Sequence, residues 1–322
     1  MYHQQTEPSI LNTFARLLGT ELHEGRLKIP AEFGEGYCTG FVFNKFIRMM
    51  IFDYKLHNDV FVVNPEEEDT DRTILFKFTN VFHKTAIPAN TPPKAIPSVL
   101  ITTKNLHAGS IIPIHSNNAT INIEVDANYL SGLFDASVKS PVLQSLLQNT
   151  QPLLFEQAVY PSLQKVVDEI LSESVSETFK SFFLRVKAEE LICCLLMELE
   201  KRNETKLYDL NTRDIQTLYQ VKERILQHLE TPPVIKDLAA FACMSPTKLK
   251  RLFKQIFGNS VFNYYQGFRM KEAALLLKDK KLSVSDVGYK LGFTNLSHFS
   301  KTFKEHVGMK PKQYNRYQSQ EI

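Results

Sequence analysis

The sequence predicts an α+β chain of two domains: an N-terminal part that is strand-rich and then helical, and a C-terminal part that is wholly helical. Three observations lead there. At 322 residues the chain exceeds one ordinary domain. Its apolar period changes from two to about 3.6 past Asp126. Its charge is also segregated. Residues 221–317 hold 18 Lys/Arg against 7 Asp/Glu, a balance of +11, whereas the remainder hold 20 against 28, a balance of −8, within a net charge of +3. A basic domain joined to an acidic one implies that only the former meets a polyanion.

Between residues 36 and 126 the segments GFVFNKFIRMMIFDYKL, TILFKFTNVF, SVLITTKNL and ATINIEVD alternate or run short in Ile, Val, Phe and Thr, and read as strands. Pro65, Pro88, Pro92, Pro93, Pro97 and Pro113 cut the region into short pieces, which suits a small barrel or a sandwich. Helices are expected over residues 139–203. SPVLQSLLQNT and YPSLQKVVDEILSES carry the i, i+3, i+4, i+7 spacing, and residues 177–203 make the longest candidate. The apolar side of that long helix is wider than one domain face requires, so Leu191, Leu195 and Leu199 are expected either to pack within the domain or to meet a second copy. These elements form an N-terminal domain over residues 1–205. A polar linker follows at 206–219, and a basic helical domain at 220–318.

The C-terminal domain says one thing twice. ACMSPTKLKRLFKQIFG (residues 242–258) and GFTNLSHFSKTFKEHVG (residues 292–308) share a Phe-Lys pair and a closing glycine. In the first copy DLAAFACM is a short helix, Ser245 an N-cap and Pro246 a first helical residue. The helix that follows buries Leu249, Leu252, Phe253 and Ile256, ends at Gly258 and displays Thr247, Lys248, Lys250, Arg251 and Lys254. In the second copy Ser283 and Asp286 open SDVGYKLGF as a capping pattern, and Thr294 or Asn295 caps the next helix. That helix buries Phe299 and Phe303 and displays Asn295, Ser297, His298, Ser300, Lys301 and Lys304. Two short helices joined by a tight turn, the second basic outside, make a helix-turn-helix, and this chain has two.

DLAAFACMSPTKLKRLFKQIFGNSVFNYYQGFRMKEAALLL followed by SVSDVGYKLGFTNLSHFSKTFKEHVGMKPKQY resembles the DNA-binding domain of the AraC/XylS regulators. The resemblance covers residues 221–317. It implies two recognition helices in successive major-groove segments, held side by side by the helix containing Phe268, Arg269 and Met270. Thr247, Lys250 and Arg251 in the first copy, and Leu296, Ser297, His298 and Lys301 in the second, fall where family members reach base edges. Leu296 and Lys301 stand where the family often has Gln and Arg, which leaves fewer base readers there. Lys248, Lys254, Asn295, Ser300 and Lys304 are expected on phosphate, since phosphate dominates affinity and Lys is a point charge. Arg251 is the best base reader, because a guanidinium can bond guanine O6 and N7 together. Arg269, in an otherwise apolar helix, is expected to pair a buried carbonyl or carboxylate.

The resemblance further implies a cupin-like barrel at the N-terminus that binds a small-molecule effector, dimerising helices, and contact with RNA polymerase by an activator. KAEELICCLLMEL (residues 187–199) is loosely similar to the pyochelin-regulator-like branch. Phe41, Phe43, Met49, Ile51, Phe76 and Phe78 could line an apolar pocket or form an ordinary core. A regulator without an effector, controlled by a protein partner, fits the same sequence. Catalysis is not expected: His57, His83, His107 and His115 are scattered singly, Cys38 stands alone, and no nucleophile elbow or phosphate loop occurs. Neither a metal nor another cofactor is expected. Reduced, buried thiols are expected at Cys38, Cys193, Cys194 and Cys243. No leader or membrane span is legible, which points to a cytoplasmic protein.

Overall fold

A computed structural model describes residues 9–23, 25–58, 60–63, 72–82, 97–103, 111–114, 117–134, 140–172, 175–202, 207–278 and 282–318. The chain divides into two compact units, Met1–Leu210 and Asn211–Ile322.

The first unit is built on an antiparallel sheet of seven strands. They are β1 (Arg26–Lys28), β2 (Gly34–Asn44), β3 (Ile47–Leu56), β5 (Thr73–Thr79), β6 (Ser98–Thr103), β8 (Asn117–Asp126) and β9 (Leu154–Ala158), in the order β1-β2-β3-β8-β5-β6-β9. Two further strands, β4 (Val60–Val63) and β7 (Ile111–Ile114), pair with each other. Among the described residues β1 and β9 are not paired with each other, so the seven-stranded sheet is open and the expected closed barrel is corrected. One edge strand, LFEQA of β9, lies inside the region expected to be helical, and β1 also precedes the expected strands.

The alternation of the strands decides what each face buries. On one face Met49, Ile51, Phe76, Phe78, Ile101, Ile121 and Ile123 meet helices α3 (Pro141–Gln148), α4 (Pro161–Leu171) and α5 (Glu177–Glu200) in a single core. Full burial of each such side chain stabilises by roughly 1.5–3 kcal/mol. A short helix, α2 (Ala127–Ser131), follows β8 and is capped by Asp126. On the other face of β1–β3, Leu11, Phe14 and Leu18 in and just after α1 (Ser9–Leu17) cover Leu27, Cys38, Met50, Phe52, Tyr54 and Leu56. Burial there pushes the Cys38 thiol well above its usual pKa.

Two sets of residues that the sequence left open between a site and ordinary packing lie in this core. Met49, Phe76 and Phe78 have no exposed surface, Ile51 is buried, and Phe41 and Phe43 pack against the same cluster, so these six form core beneath the helices rather than a ligand cavity. Leu191, Leu195 and Leu199 likewise have 0% exposure, because they are the inward side of α5. The outward side carries Phe179, Phe182, Val186, Cys193 and Met197, all exposed and spaced so that they share one stripe. The thiols also divide: Cys38 is buried and Cys194 partly so, whereas Cys193 and Cys243 are exposed.

The second unit is all helical: α6 (Thr212–Gln227), α7 (Ile235–Phe241), α8 (Pro246–Phe257), α9 (Val261–Leu276), α10 (Val284–Lys290), α11 (Leu296–Val307) and α12 (Pro311–Gln318). Helix α6 starts inside the segment expected as a linker. Asn211 caps it by accepting from the Asp214 N–H at 2.7 Å, and Leu218, Val221 and Ile225 give it a buried face.

Candidate nucleic-acid interface

Helices α8 and α11 are built alike. In α8 the Ser245 hydroxyl accepts from the Lys248 N–H at 3.2 Å, Pro246 opens the first turn, and Gly258 closes the helix at φ 71°. In α11 the Asn295 Oδ1 accepts from the N–H groups of Ser297 at 2.9 Å and His298 at 3.1 Å, and Gly308 closes at φ 87°. Asn295, rather than Thr294, is therefore the cap. The helix before it, α10, begins with a reciprocal box in which Ser283 and Asp286 bond each other's backbone N–H. The Ser283 hydroxyl and N–H together hold the Asp286 carboxyl below its usual pKa.

The tight turns use left-handed residues. Cys243 has φ 50° in the first and Gly292 has φ 75° in the second. At Gly292 a Cβ would lie 2.0 Å from the Glu230 carbonyl oxygen, so only glycine allows the α6–α7 connection to pass against the α10–α11 turn.

Helix α9 fastens the two motifs together. Its Tyr265 hydroxyl donates to the Leu229 carbonyl at 2.8 Å. Its Arg269, 5% exposed, donates from Nε to the Leu291 carbonyl at 2.8 Å and from Nη1 to Gln266 at 3.2 Å, and stacks 3.7 Å from the Phe293 ring centroid. The sequence expectation of a buried carbonyl partner is met. Around these groups Met270, Ala273, Leu277, Val287, Phe299 and Phe303 form the core of the second motif. Phe253, Phe257, Tyr219 and Tyr264 make an aromatic cluster under the first.

With their apolar sides so engaged, both helices turn polar sides outward. Thr247, Lys250, Arg251 and Lys254 are exposed at i, i+3, i+4 and i+7 along α8. On α11 Ser297, Lys301 and Lys304 are exposed at i, i+4 and i+7 with Ser300 half-buried among them, and His298 is exposed to one side, its ring 5.7 Å from that of Phe293. Two of the residues expected at the interface also make contacts within the unit. Lys248 is half-buried with its ammonium 2.9 Å from the Asp214 carboxylate of α6, so it is not a free cation. Leu296 is half-buried and leans over Gly288, filling the space a side chain there would take. Helix α12 and the residue before it add exposed Lys310, Lys312 and Arg316, which the motif reading did not single out because they lie outside both copies.

Residues 238–317 match the model of a helix-turn-helix domain. The arabinose operon regulatory protein of Escherichia coli is 27% identical over 171 residues, which cover 53% of this chain and 56% of that protein. The HTH-type transcriptional regulator MtrA of Neisseria gonorrhoeae is 28% identical over 211 residues, or 64% of this chain and 70% of that one. A crystal structure of a transcriptional regulator with an AraC-type DNA-binding domain, from Chromobacterium violaceum, is 28% identical, with 34% of this chain and 98% of that one covered at a TM-score of 0.32. The doubled, capped and basic motif and the sequence relatives agree on the C-terminal region, which is a helix-turn-helix domain of the AraC type, while the chain spans little more than half the length of the first curated relatives it matches.

Proposed function

We propose that this protein is a sequence-specific transcription regulator that binds double-stranded DNA with α8 and α11 in successive major-groove segments. The observation that carries the reading is the pairing, in one unit, of two capped helices that each bury one face and turn basic and hydroxyl side chains outward. Thr247, Lys250 and Arg251, with Ser297, His298 and Lys301, read base edges. Leu296 offers an apolar edge suited to a thymine methyl. Lys254, Ser300 and Lys304 hold phosphate, as does Asn295 through the amide nitrogen its cap leaves over. Lys248 reaches phosphate only by leaving Asp214. The protein acts in the cytoplasm as an activator that contacts RNA polymerase, and its N-terminal unit senses a small effector.

The protein works as a homodimer through the outward stripe of α5. In the first half of that helix Lys180, Arg185 and Lys187 outnumber Glu177, and the second half carries Glu189, Glu190, Glu198 and Glu200, so two copies crossing antiparallel oppose a net positive half to a net negative one over a shared apolar seam.

Selection of bound duplexes from a random pool by the full chain tests the DNA reading, followed by titration of the recovered site across salt concentrations. A defined site whose affinity falls steeply with salt is expected. Recovery of no preferred sequence, or binding insensitive to salt, removes the proposal.

A further inference from the structure

Helix α8 holds Lys248, Lys250, Arg251 and Lys254 and no acidic residue of its own. A carboxylate nevertheless reaches it from α6. The Lys248 ammonium donates to the Asp214 Oδ1 at 2.9 Å and lies 2.9 Å from Oδ2 as well. The Asp214 side chain is 13% exposed, whereas that of Lys248 keeps 40%. Asp214 is itself fixed: its N–H donates to the Asn211 Oδ1 at 2.7 Å, and its Oδ2 accepts from the Asn211 Nδ2 at 3.0 Å. A first-turn carboxylate also suits the positive end of the α6 dipole, so Asp214 does not depend on Lys248 for its place.

Angular position shows what this pair withholds. Thr247, Lys250, Arg251 and Lys254 form the outward stripe of α8, and Lys248, about 100° past Thr247, sits on its flank, on the side of Arg251. For a helix lying in a major groove the phosphates stand on either side of the base edges, so a flanking cation is one that meets backbone. Asp214 offers it two acceptor oxygens and a negative charge, the features of a phosphate. A half-exposed ion pair is weak, because water screens it. A cation that meets duplex phosphate instead gains from counterion release. The two acceptors therefore compete on comparable terms.

We propose that Asp214 is an internal stand-in for a DNA phosphate, which competes for Lys248 and so sets how many phosphates the first recognition helix holds. The inference rests on the DNA reading above and adds a control to it. Asn211 is the first residue of the second unit, and Asp214 lies in the helical turn that it caps. When that turn is ordered, Asp214 engages Lys248. When it frays, the carboxylate leaves and α8 gains a cation for the duplex. Order in the first turn of α6, the part of the unit nearest the preceding chain, thereby tunes affinity without displacing the base-reading side chains.

Titration of the selected DNA site with the full-length protein at several salt concentrations tests the competition. Asp214→Asn keeps the side-chain shape and the N–H that Asn211 accepts. It is expected to bind about three- to tenfold more tightly at low salt, with a salt slope steeper by about 1. Removing any acid near DNA raises affinity, so the deciding arm is the same substitution in a Lys248→Ala background, where the slope should not change. Asn211→Ala, which undoes the cap, should steepen the slope by less. A wild type without salt-dependent DNA binding removes the DNA reading and this one together. A wild type that binds, beside an Asp214→Asn chain of unchanged slope or a gain in slope that survives Lys248→Ala, overturns the competition alone. Should Asp214→Asn fail to fold, Lys248→Ala in the otherwise wild-type chain decides: a smaller loss of slope than in Lys254→Ala supports the competition, and an equal loss overturns it.

Discussion

The Arg269 guanidinium donates from both Nε and Nη2 to the backbone carbonyl of Leu291, the residue that ends α10. A terminal helix carbonyl has no intrahelical partner, and here a buried cation from another helix supplies it. The ring of Phe293 covers the guanidinium from one side. One side chain thus joins α9 to the turn that positions the second recognition helix.

Replacing Arg269 should therefore be costly. Arg269→Leu is expected to destabilise the C-terminal unit by about 2–3 kcal/mol, since it leaves the Leu291 carbonyl buried and unpaired. Arg269→Lys should recover little, because an ammonium cannot stack flat on Phe293 while bonding at two points. Hydrogen exchange of the amides in α9–α11 measures both. Wild-type protection in Arg269→Leu would show that the clasp contributes nothing.

Three backbone positions in the C-terminal unit should respond in opposite directions. Gly292→Ala meets the Glu230 carbonyl at 2.0 Å in a left-handed conformation, so a loss of more than about 3 kcal/mol is expected. Gly267→Ala has open space within α9 and should stabilise by about 0.5–1 kcal/mol. Cys243→Gly relieves a non-glycine residue at φ 50° and should stabilise by up to about 1 kcal/mol. Urea denaturation ranks the three, and a Gly292→Ala chain as stable as wild type would contradict the packing of that turn.

On DNA, Arg251→Ala should relax preference at one base position by roughly 1–3 kcal/mol, whereas Lys254→Ala should weaken every sequence alike and lower the salt slope by about 1. Binding to matched and singly mismatched duplexes at several salt concentrations distinguishes them. Equal losses on both duplexes for Arg251→Ala would assign it to backbone.

The two sides of α5 make separable predictions about assembly. Phe182→Glu changes a side chain that is 70% exposed and should yield a folded monomer. Leu195→Glu puts a charge where exposure is 0% and should unfold the N-terminal unit. Sedimentation and circular dichroism report the two outcomes, and a wild type that sediments as a monomer at micromolar concentration would end the dimer proposal.

The recognition helices were legible because their signals are local. Ser245, Pro246 and Gly258 mark one helix, and Asn295 and Gly308 the other, all within a dozen residues of the side chains they position. What the N-terminal strands do depends on distant partners. Alternation shows that Phe76 and Lys77 face opposite ways, but not which face the helices cover. Hence an aromatic core was open to reading as a pocket. In α5 apolar residues occur on both sides, so Leu195 and Phe182 cannot be ranked for burial without the sheet. Strand β9 is five residues between helices, and the first turn of α6, TRDIQT, is too polar to announce itself beside a linker.

The fit of Gly292 against Glu230 bears on helical phase. Two recognition helices pinned by a backbone contact that leaves no room for a methyl group, and by the Arg269 clasp, are a ruler of fixed length. Inserting one base pair between the two segments they read turns the second segment by about 35° and moves it by about 3.4 Å. Nothing at that junction can rotate to follow. On the proposed reading, sites with altered spacing are expected to bind only when over- or underwound, so the torsional stiffness of the intervening steps should enter the affinity.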